Sequence, residues 1–173
     1  MDDAARMTDR AMKLAERVDI DGRLARFQID GSTQTNLRQF KLLRSGGLDP
    51  VISRFYEYVH RFPETQAMLK GHDEDRLRQR QKEHWRRLLS CEFDRSYVHS
   101  CLLVGLAHYH ARVSPHTYMA AYSFFQAELL RSAMKLHTPA EMEALSISIG
   151  KVIMLDMSIA LNAYILDAVS MKP

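Results

Sequence analysis

Apolar residues recur at helical spacing from one end of this chain to the other, and this periodicity constrains the fold more than any other feature. No stretch shows the strict alternation of β-branched and polar residues that is typical of a half-buried strand. The sequence therefore predicts an all-α protein. A chain of 173 residues suits one domain and is long enough to bury a sizeable core.

Prolines mark most of the predicted helix boundaries. Four of the five stand where a helix would start, at positions 50, 63, 115 and 139, and Thr138 with Glu141 has the spacing of a capping box. The predicted elements are a polar amphipathic lead-in near 4–17, a short turn near 21–28, and helices near 32–44, 49–61, 63–70, 73–90, 94–113, 115–136 and 139–169.

Composition and charge exclude several classes of protein. A hydrophobic content of 46% and a charged content of 26% are typical of an ordinary globular domain. The net charge of +3, from 24 basic and 21 acidic residues, is too small to imply a nucleic-acid or membrane partner. Cys91 and Cys101 lack metal-site spacing, and the amino terminus has no apolar signal core. These features predict reduced thiols in a cytoplasmic protein.

The most apolar segment, 152–169, contains Asp156, Asn162 and Asp167. Three polar side chains in such a segment favour a buried helix over a membrane span.

Two histidines precede the predicted helix that starts at Pro115. His110 emerges from an apolar helical stripe, whereas His108 points to another side of the same helix. The stripe consists of Leu103, Leu106 and Ala107. A histidine so placed fits an axial metal ligand beside a flat hydrophobic cofactor. For a lone histidine, a core residue with a satisfied hydrogen bond is the more common interpretation.

Two other helices carry polar groups on apolar faces. Tyr56 lies on the inward stripe of the helix near 49–61, where a phenol needs a hydrogen-bond partner. On the helix near 73–90, Gln81 and His84 interrupt a stripe that includes Leu77 and Leu88. The basic residues on the remaining faces of that helix alternate with acidic ones, which favours a solvated surface over a nucleic-acid site.

Three separated motifs then occur in a specific order. They are Phe55-Tyr56; Gln81-x-x-His84-Trp85 with Phe93-Asp94-x-x-Tyr97; and His110-Ala111-Arg112-Val113 ahead of Tyr118-Met119-Ala120-Ala121-Tyr122. Together they resemble the sensor globin domain of the globin-coupled sensors. Further similarity, at residues 23–27 and at Leu155-Asp156-Met157 with Tyr164, extends the resemblance over nearly the whole chain.

The resemblance implies a globin-like fold with an extra N-terminal helical segment, residues 1–30 forming a lead-in and 31–173 the globin core. It also implies haem b, with His110 as the proximal iron ligand, Tyr56 as the distal donor and Tyr118 supporting the proximal side. His72 resembles a residue that reaches a haem propionate. Residues that would line the pocket are Phe55, Leu77, Leu88 and Leu106, with Arg80 or Gln81 facing the iron.

One departure from the family pattern stands at the proximal corner. The chain has about two fewer residues between the proximal motif and the next helix, and Thr117 replaces the usual tryptophan. His108 and His116 flank this corner as alternative proximal or sixth ligands. His84 is a further candidate for a second axial ligand, against a packed core role.

The expected function is that of an oxygen sensor, with CO and NO as further gas ligands. It would report through a helical homodimer interface to a C-terminal effector module outside this chain. No nucleophile–base constellation or phosphate loop is recognisable, so the domain is expected not to be an enzyme. The alternatives are a stand-alone gas-binding globin of protoglobin type and a cofactor-free helical signalling domain.

The homodimer is predicted to form through the helices near 115–136 and 139–169. Apolar residues occupy nearly every side of the last helix, and a monomer would leave some of them in water. Ile159 is predicted to lie in that interface.

Overall fold

The computed structural model describes residues 3–44 and 46–170. Within these residues every regular element is an α-helix, which confirms the predicted fold class. The helices are α1 Asp3–Ala15, α2 Ile20–Arg26, α3 Gly31–Arg38, α4 Lys41–Arg44, α5 Leu48–Val59, α6 Pro63–Leu69, α7 Glu74–Leu89, α8 Arg95–His110, α9 Pro115–Ala133 and α10 Pro139–Ser170.

Helix starts are set by local capping. Asp94 accepts the Tyr97 N–H at 2.7 Å at the start of α8, and Ser114 accepts the Thr117 N–H at 3.0 Å before Pro115. At the start of α10, the Thr138 N–H donates to the Glu141 carboxylate at 2.8 Å and the Glu141 N–H donates to Thr138 Oγ1 at 3.4 Å. The predicted capping box is therefore confirmed.

The helix predicted near 32–44 is interrupted. α3 ends at Arg38, and the N–H of the fully buried Phe40 bonds to the Leu37 carbonyl at 3.0 Å in a tight turn. The freed Lys41 N–H donates to His137 Nε2 at 3.2 Å. α3 is separated from α4 because Phe40 is anchored in the core and Lys41 is capped by a distant segment. Helical periodicity could not reveal this tertiary effect.

The end of α8 also differs from its predicted limit. Arg112 adopts φ 59, in the left-handed region, and the Val113 N–H bonds to the His108 carbonyl at 3.0 Å. These features terminate the helix at His110, three residues before the predicted end.

α10 forms the centre of the core. It packs against α3, α7, α8 and α9, while α1 covers α8 and α5 packs against α7 and α9. α8 and α10 approach closely at Gly105 of α8, where a Cβ atom would lie 2.3 Å from the Ala160 carbonyl oxygen. Glycine therefore permits α8 and α10 to meet backbone to backbone.

α10 is long and apolar enough over Pro139–Ile165 to span a membrane by length and composition, with a hydropathy of 1.7. Half of that apolar window is nevertheless buried inside the protein, and Asp156 is fully buried within it. This packing agrees with the predicted buried helix.

The N-terminal lead-in lies against the globin-like core. α1 packs on α8, and His99 of α8 approaches the Thr8 carbonyl of α1 at 3.4 Å. In α2, Arg23 donates to Ser158 of α10 at 3.1 Å. Both predicted thiols are free, Cys91 partly buried and Cys101 fully buried.

Candidate functional site

His108 lies on the inner side of α8. Its Nδ1 atom is 2.8 Å from the Val104 carbonyl oxygen, one helical turn earlier, and its ring meets the Tyr118 ring edge-on at 5.0 Å. Because a carbonyl can only accept, Nδ1 carries the proton and Nε2 carries a lone pair. Burial lowers the pKa of His108, so the neutral imidazole is favoured.

His110 lies elsewhere. It is exposed at the last residue of α8, where it lines an open cavity of about 670 Å³ on the protein surface. The other residues around this cavity are Tyr109, Arg112, Val113, Pro115, Tyr164 and Ile165. The structure therefore does not bring His110 together with the other predicted site residues.

Tyr56 is buried on α5, as predicted. Burial raises the pKa of its hydroxyl to about 12, so it is a neutral donor at physiological pH. The guanidinium of Arg78 lies 4.2 Å above the phenol ring and is held by Glu74 at 2.6 Å. Arg78 was not among the predicted site residues, although the four-residue spacing from Glu74 is a recognisable signal.

The remaining distal candidates lie on α7 or just before it, and they differ in burial. Gln81 is partly buried, and its Oε1 atom is one of the buried side-chain atoms of the described residues that has no hydrogen-bond partner. Arg80 and His72 are exposed. Of the two alternatives left open by the sequence, Gln81 is thus the inward residue.

The predicted apolar lining residues are all at least partly buried. Leu88 and Leu106 are completely buried, and Leu77 packs at the edge of the core. Phe55 makes an edge-on contact with Tyr56 at 5.7 Å and another with Phe125 at the same distance. These contacts support an apolar wall beside Tyr56.

Asp156 organises a polar cluster that sequence reasoning missed. Its fully buried carboxylate accepts hydrogen bonds from Tyr97, Tyr122, Cys101 at 2.9 Å and His84 Nε2 at 3.1 Å. An aspartate in the most apolar segment of the chain was the available signal. This carboxylate is therefore the polar partner of His84, one of the two polar residues that interrupt the apolar stripe of α7.

The charges in the cluster are coupled. Burial alone would raise the pKa of Asp156, but the His84 charge and the hydrogen bonds of His84, Cys101 and Tyr122 lower it to about 2. Burial alone would lower the pKa of His84, and Asp156 raises it instead. The cluster thus favours an ionised carboxylate next to a protonated imidazole.

Several of the basic residues on the outer faces of α7 are paired with acids. Arg86 contacts Glu83 and Glu92, both at 2.9 Å, and Lys82 contacts Asp49 at 2.7 Å. These pairs agree with the predicted solvated face.

The fold and the site together define a globin-like helical protein, with a partly buried imidazole on α8 and a buried phenol on α5. Comparison with solved structures finds the globin domain of a Geobacter sulfurreducens globin-coupled sensor, with a TM-score of 0.74 and 20% sequence identity. The match covers 83% of this chain and 96% of that domain. A similarity at this level of identity establishes the fold.

The chain belongs to the Protoglobin family, whose model matches residues 17–169. No match was found among curated proteins. Membership of this family implies a haem-binding globin, as the sequence motifs predicted.

The residues present fit a haem. His108 offers an Nε2 lone pair while Nδ1 is held by a backbone carbonyl, the arrangement usual for a metal-ligating histidine. The orphaned Gln81 Oε1 marks a buried polar position on α7.

Proposed function

We propose that this chain is a haem-binding gas-sensor domain, in which His108 ligates the iron of haem b and Tyr56 recognises O2. The observation that carries the proposal is the partly buried His108 imidazole, with Nδ1 bonded to the Val104 carbonyl and Nε2 free to ligate. Haem iron, when bound, supplies reversible coordination of a diatomic gas.

His108 is favoured over the predicted ligand His110 for two reasons. The first is burial, because His110 is exposed beside an open surface cavity. The second is the length of the proximal corner. Counting from His108 instead of His110 adds two residues before α9, which removes the apparent shortening relative to the family.

The distal residues have complementary roles. Tyr56 keeps a neutral hydroxyl donor beside Phe55, where it can donate to a polar gas ligand such as O2 more effectively than to CO. Gln81 provides a second buried polar group. Tyr118 packs on the His108 ring and would support the proximal side.

The signalling part of the proposal rests on α10. Its exposed or partly exposed apolar residues Ile147, Met154 and Leu161 recur every seven positions, with Ile165 beyond them. This spacing suits a seam against the same helix of a second copy. We therefore propose a cytoplasmic, non-enzymatic homodimer that transmits gas binding to a C-terminal effector module.

The test compares His108→Ala with His110→Ala as a matched control. Both variants are expressed and reconstituted with haem, and the Soret absorbance per chain is measured beside far-ultraviolet circular dichroism. His108→Ala should lose most haem while keeping its helices, because the axial bond is removed. His110→Ala should resemble the parent.

Added imidazole should restore the Soret band of a His108→Gly variant, because free imidazole can occupy the vacated position. Loss of haem in His110→Ala with retention in His108→Ala would overturn the assignment of His108. A parent protein that takes up no haem would overturn the proposed function itself and favour a cofactor-free helical domain.

A further inference from the structure

We infer that Asp156 is a positioning residue for the proximal histidine, acting through Tyr122 and Tyr118. This inference rests on the proposed role of His108 as the axial ligand. Asp156 belongs to α10, whereas His108 lies on α8 and both tyrosines lie on α9. Asp156, Tyr122 and Tyr118 therefore link the proximal ligand to the helix that carries the exposed apolar seam.

The hydrogen bonds form an ordered chain. The Tyr122 hydroxyl donates its only proton to the ionised Asp156 carboxylate, which can only accept. Tyr122 can therefore only accept from Tyr118, whose hydroxyl oxygen is 3.1 Å away. The buried negative charge thus sets the direction of both hydroxyl groups.

At the far end of this series of hydrogen bonds, Tyr118 contacts the proximal histidine through its aromatic ring. The Tyr118 hydroxyl is committed to Tyr122, so its aromatic ring is fixed against the His108 imidazole at 5.0 Å and 71°. The other side of that imidazole is restrained by the Val104 carbonyl. Together these contacts limit rotation of the imidazole plane about the axial direction.

The same carboxylate fixes α10 relative to three other helices. Its donors come from α7, α8 and α9. Met154, two residues earlier on α10, is 44% exposed, whereas Asp156 is completely buried. Any movement of His108 against Tyr118 would consequently reach the helix whose opposite side forms the seam.

A purely structural role for Asp156 predicts a different pattern of mutant effects. In that case any donor lost from the carboxylate would loosen the core to a similar degree. Tyr97 and Tyr122 supply a matched pair, because both donate a phenol hydroxyl to Asp156 and both are buried. Only Tyr122 continues to Tyr118.

The experiment records the iron–histidine stretching band of the haem-loaded ferrous protein, without gas, by resonance Raman spectroscopy. Tyr122→Phe and Asp156→Asn should both shift this band from the parent position. Tyr97→Phe should leave it in place, as should Ser148→Ala, a change at a buried α10 residue that bonds to Asn36 and not to the cluster. In a Tyr118→Phe background, Asp156→Asn should add no further shift.

Equal shifts in Tyr97→Phe and Tyr122→Phe, or no shift in Tyr122→Phe, would overturn the inference while leaving the haem function intact. If Asp156→Asn fails to fold, the two phenylalanine variants still decide the question, since each removes a single hydroxyl. A parent without a Soret band would instead reject the proposed function on which the inference rests.

Discussion

Tyr56 is a buried phenol whose ring lies beneath the guanidinium of Arg78. The cation contacts the ring face, so the hydroxyl at the ring edge remains the donor available to a ligand. The sequence identified Tyr56 from its place on an apolar stripe. It could not reveal Arg78 as the neighbour, because that contact depends on how α5 and α7 pack.

Replacing Tyr56 with Phe should speed O2 dissociation by about tenfold, equivalent to the loss of ~1–2 kcal/mol of hydrogen bonding. CO dissociation should change much less, because CO is the poorer hydrogen-bond acceptor. Both rates are measured by stopped-flow ligand replacement. Tyr58→Phe, on the same helix and stacked on Phe124 at 4.1 Å, is the control and should alter neither rate. Equal acceleration for both gases would argue against a direct hydrogen bond from Tyr56.

The Asp156–His84 pair gives stability a pH dependence. The pKa of Asp156 is lowered on folding, so its contribution is present above about 3.9 and is lost as pH falls further. The pKa of His84 is raised, so its contribution is present below about 6.5 and is lost as pH rises through the folded value. The pair should therefore stabilise most between about pH 4 and 6.5.

Asp156→Ala should lower the unfolding free energy of the haem-free protein by ~3–5 kcal/mol within that window, as expected when one partner of a buried pair is removed. The difference from the parent should narrow at pH 9. Urea denaturation at pH 5 and pH 9 measures both values. Ser148→Ala serves as the control, and its difference from the parent should not depend on pH. If Asp156→Ala lowers the free energy of unfolding by the same amount at both pH values, the ion pair contributes no pH-dependent stability.

At the level of helices, α8 shows why the sequence pattern favours His110 as the axial ligand whereas burial favours His108. The stripe that carries His110 also carries His99 and Leu106. His99 approaches the Thr8 carbonyl, and α1 packs on α8. An apolar stripe predicts that a helix face is buried, but it does not predict which element covers that face. Here part of the stripe faces α1, a helix of the lead-in. The inward face of α8 is instead marked by His108 and its contact with Tyr118.

The crossing of α8 and α10 depends on Gly105. A methyl group there would lie 2.3 Å from the Ala160 oxygen and 3.0 Å from the Ala163 Cβ atom. Gly105→Ala should therefore lower the free energy of unfolding by ~1–3 kcal/mol, the usual effect of overpacking. Thermal or urea denaturation of the haem-free protein provides the measurement.

Gly150→Ala is the matched control on α10, because the nearest atom to its added methyl would be Gln126 Nε2 at 3.8 Å. That change should be neutral or stabilising by up to ~1 kcal/mol through helix propensity. If both variants lower the free energy of unfolding by similar amounts, the close approach at Gly105 does not limit the packing of α8 on α10.

At the level of the whole molecule, the structure refines the predicted dimer face. Ile159, predicted to lie in the interface, is completely buried within the protomer, so a charge there would disrupt the core instead of the dimer. Ile147 and Met154 are 54% and 44% exposed on α10. They are the better interface positions because they project away from the core.

Met154→Glu should convert a dimer into a monomer of 20.0 kDa in sedimentation experiments on the haem-loaded protein. Gln79→Glu adds the same charge at an exposed position on α7 and should leave the dimer intact. A parent that sediments as a monomer would remove the interface. If a dissociated Met154→Glu variant keeps the O2 affinity of the parent, dimer formation has no part in signalling.

Much of the architecture could be predicted from the sequence because it arises from short-range physics. Helical periodicity depends on residues three and four positions apart, and a helix start at Ser114-Pro115 depends on one side chain and the next few N–H groups. The order of motifs added the globin-like fold and a prediction of which residues would line a haem pocket. The buried positions of Tyr56, Leu88 and Tyr118 agree with that prediction.

Tertiary structure alone decided which neighbours these residues have. The Asp156 carboxylate collects its tyrosine and histidine donors from 34 to 72 positions earlier in the chain, and no local pattern encodes that convergence. The choice between His108 and His110 has the same origin, since both lie in the last turn of one helix. Packing of α1 and α10 on α8, together with the Tyr118 ring of α9, determines which imidazole is held inside, because the burial of a helix surface depends on the elements that cover it.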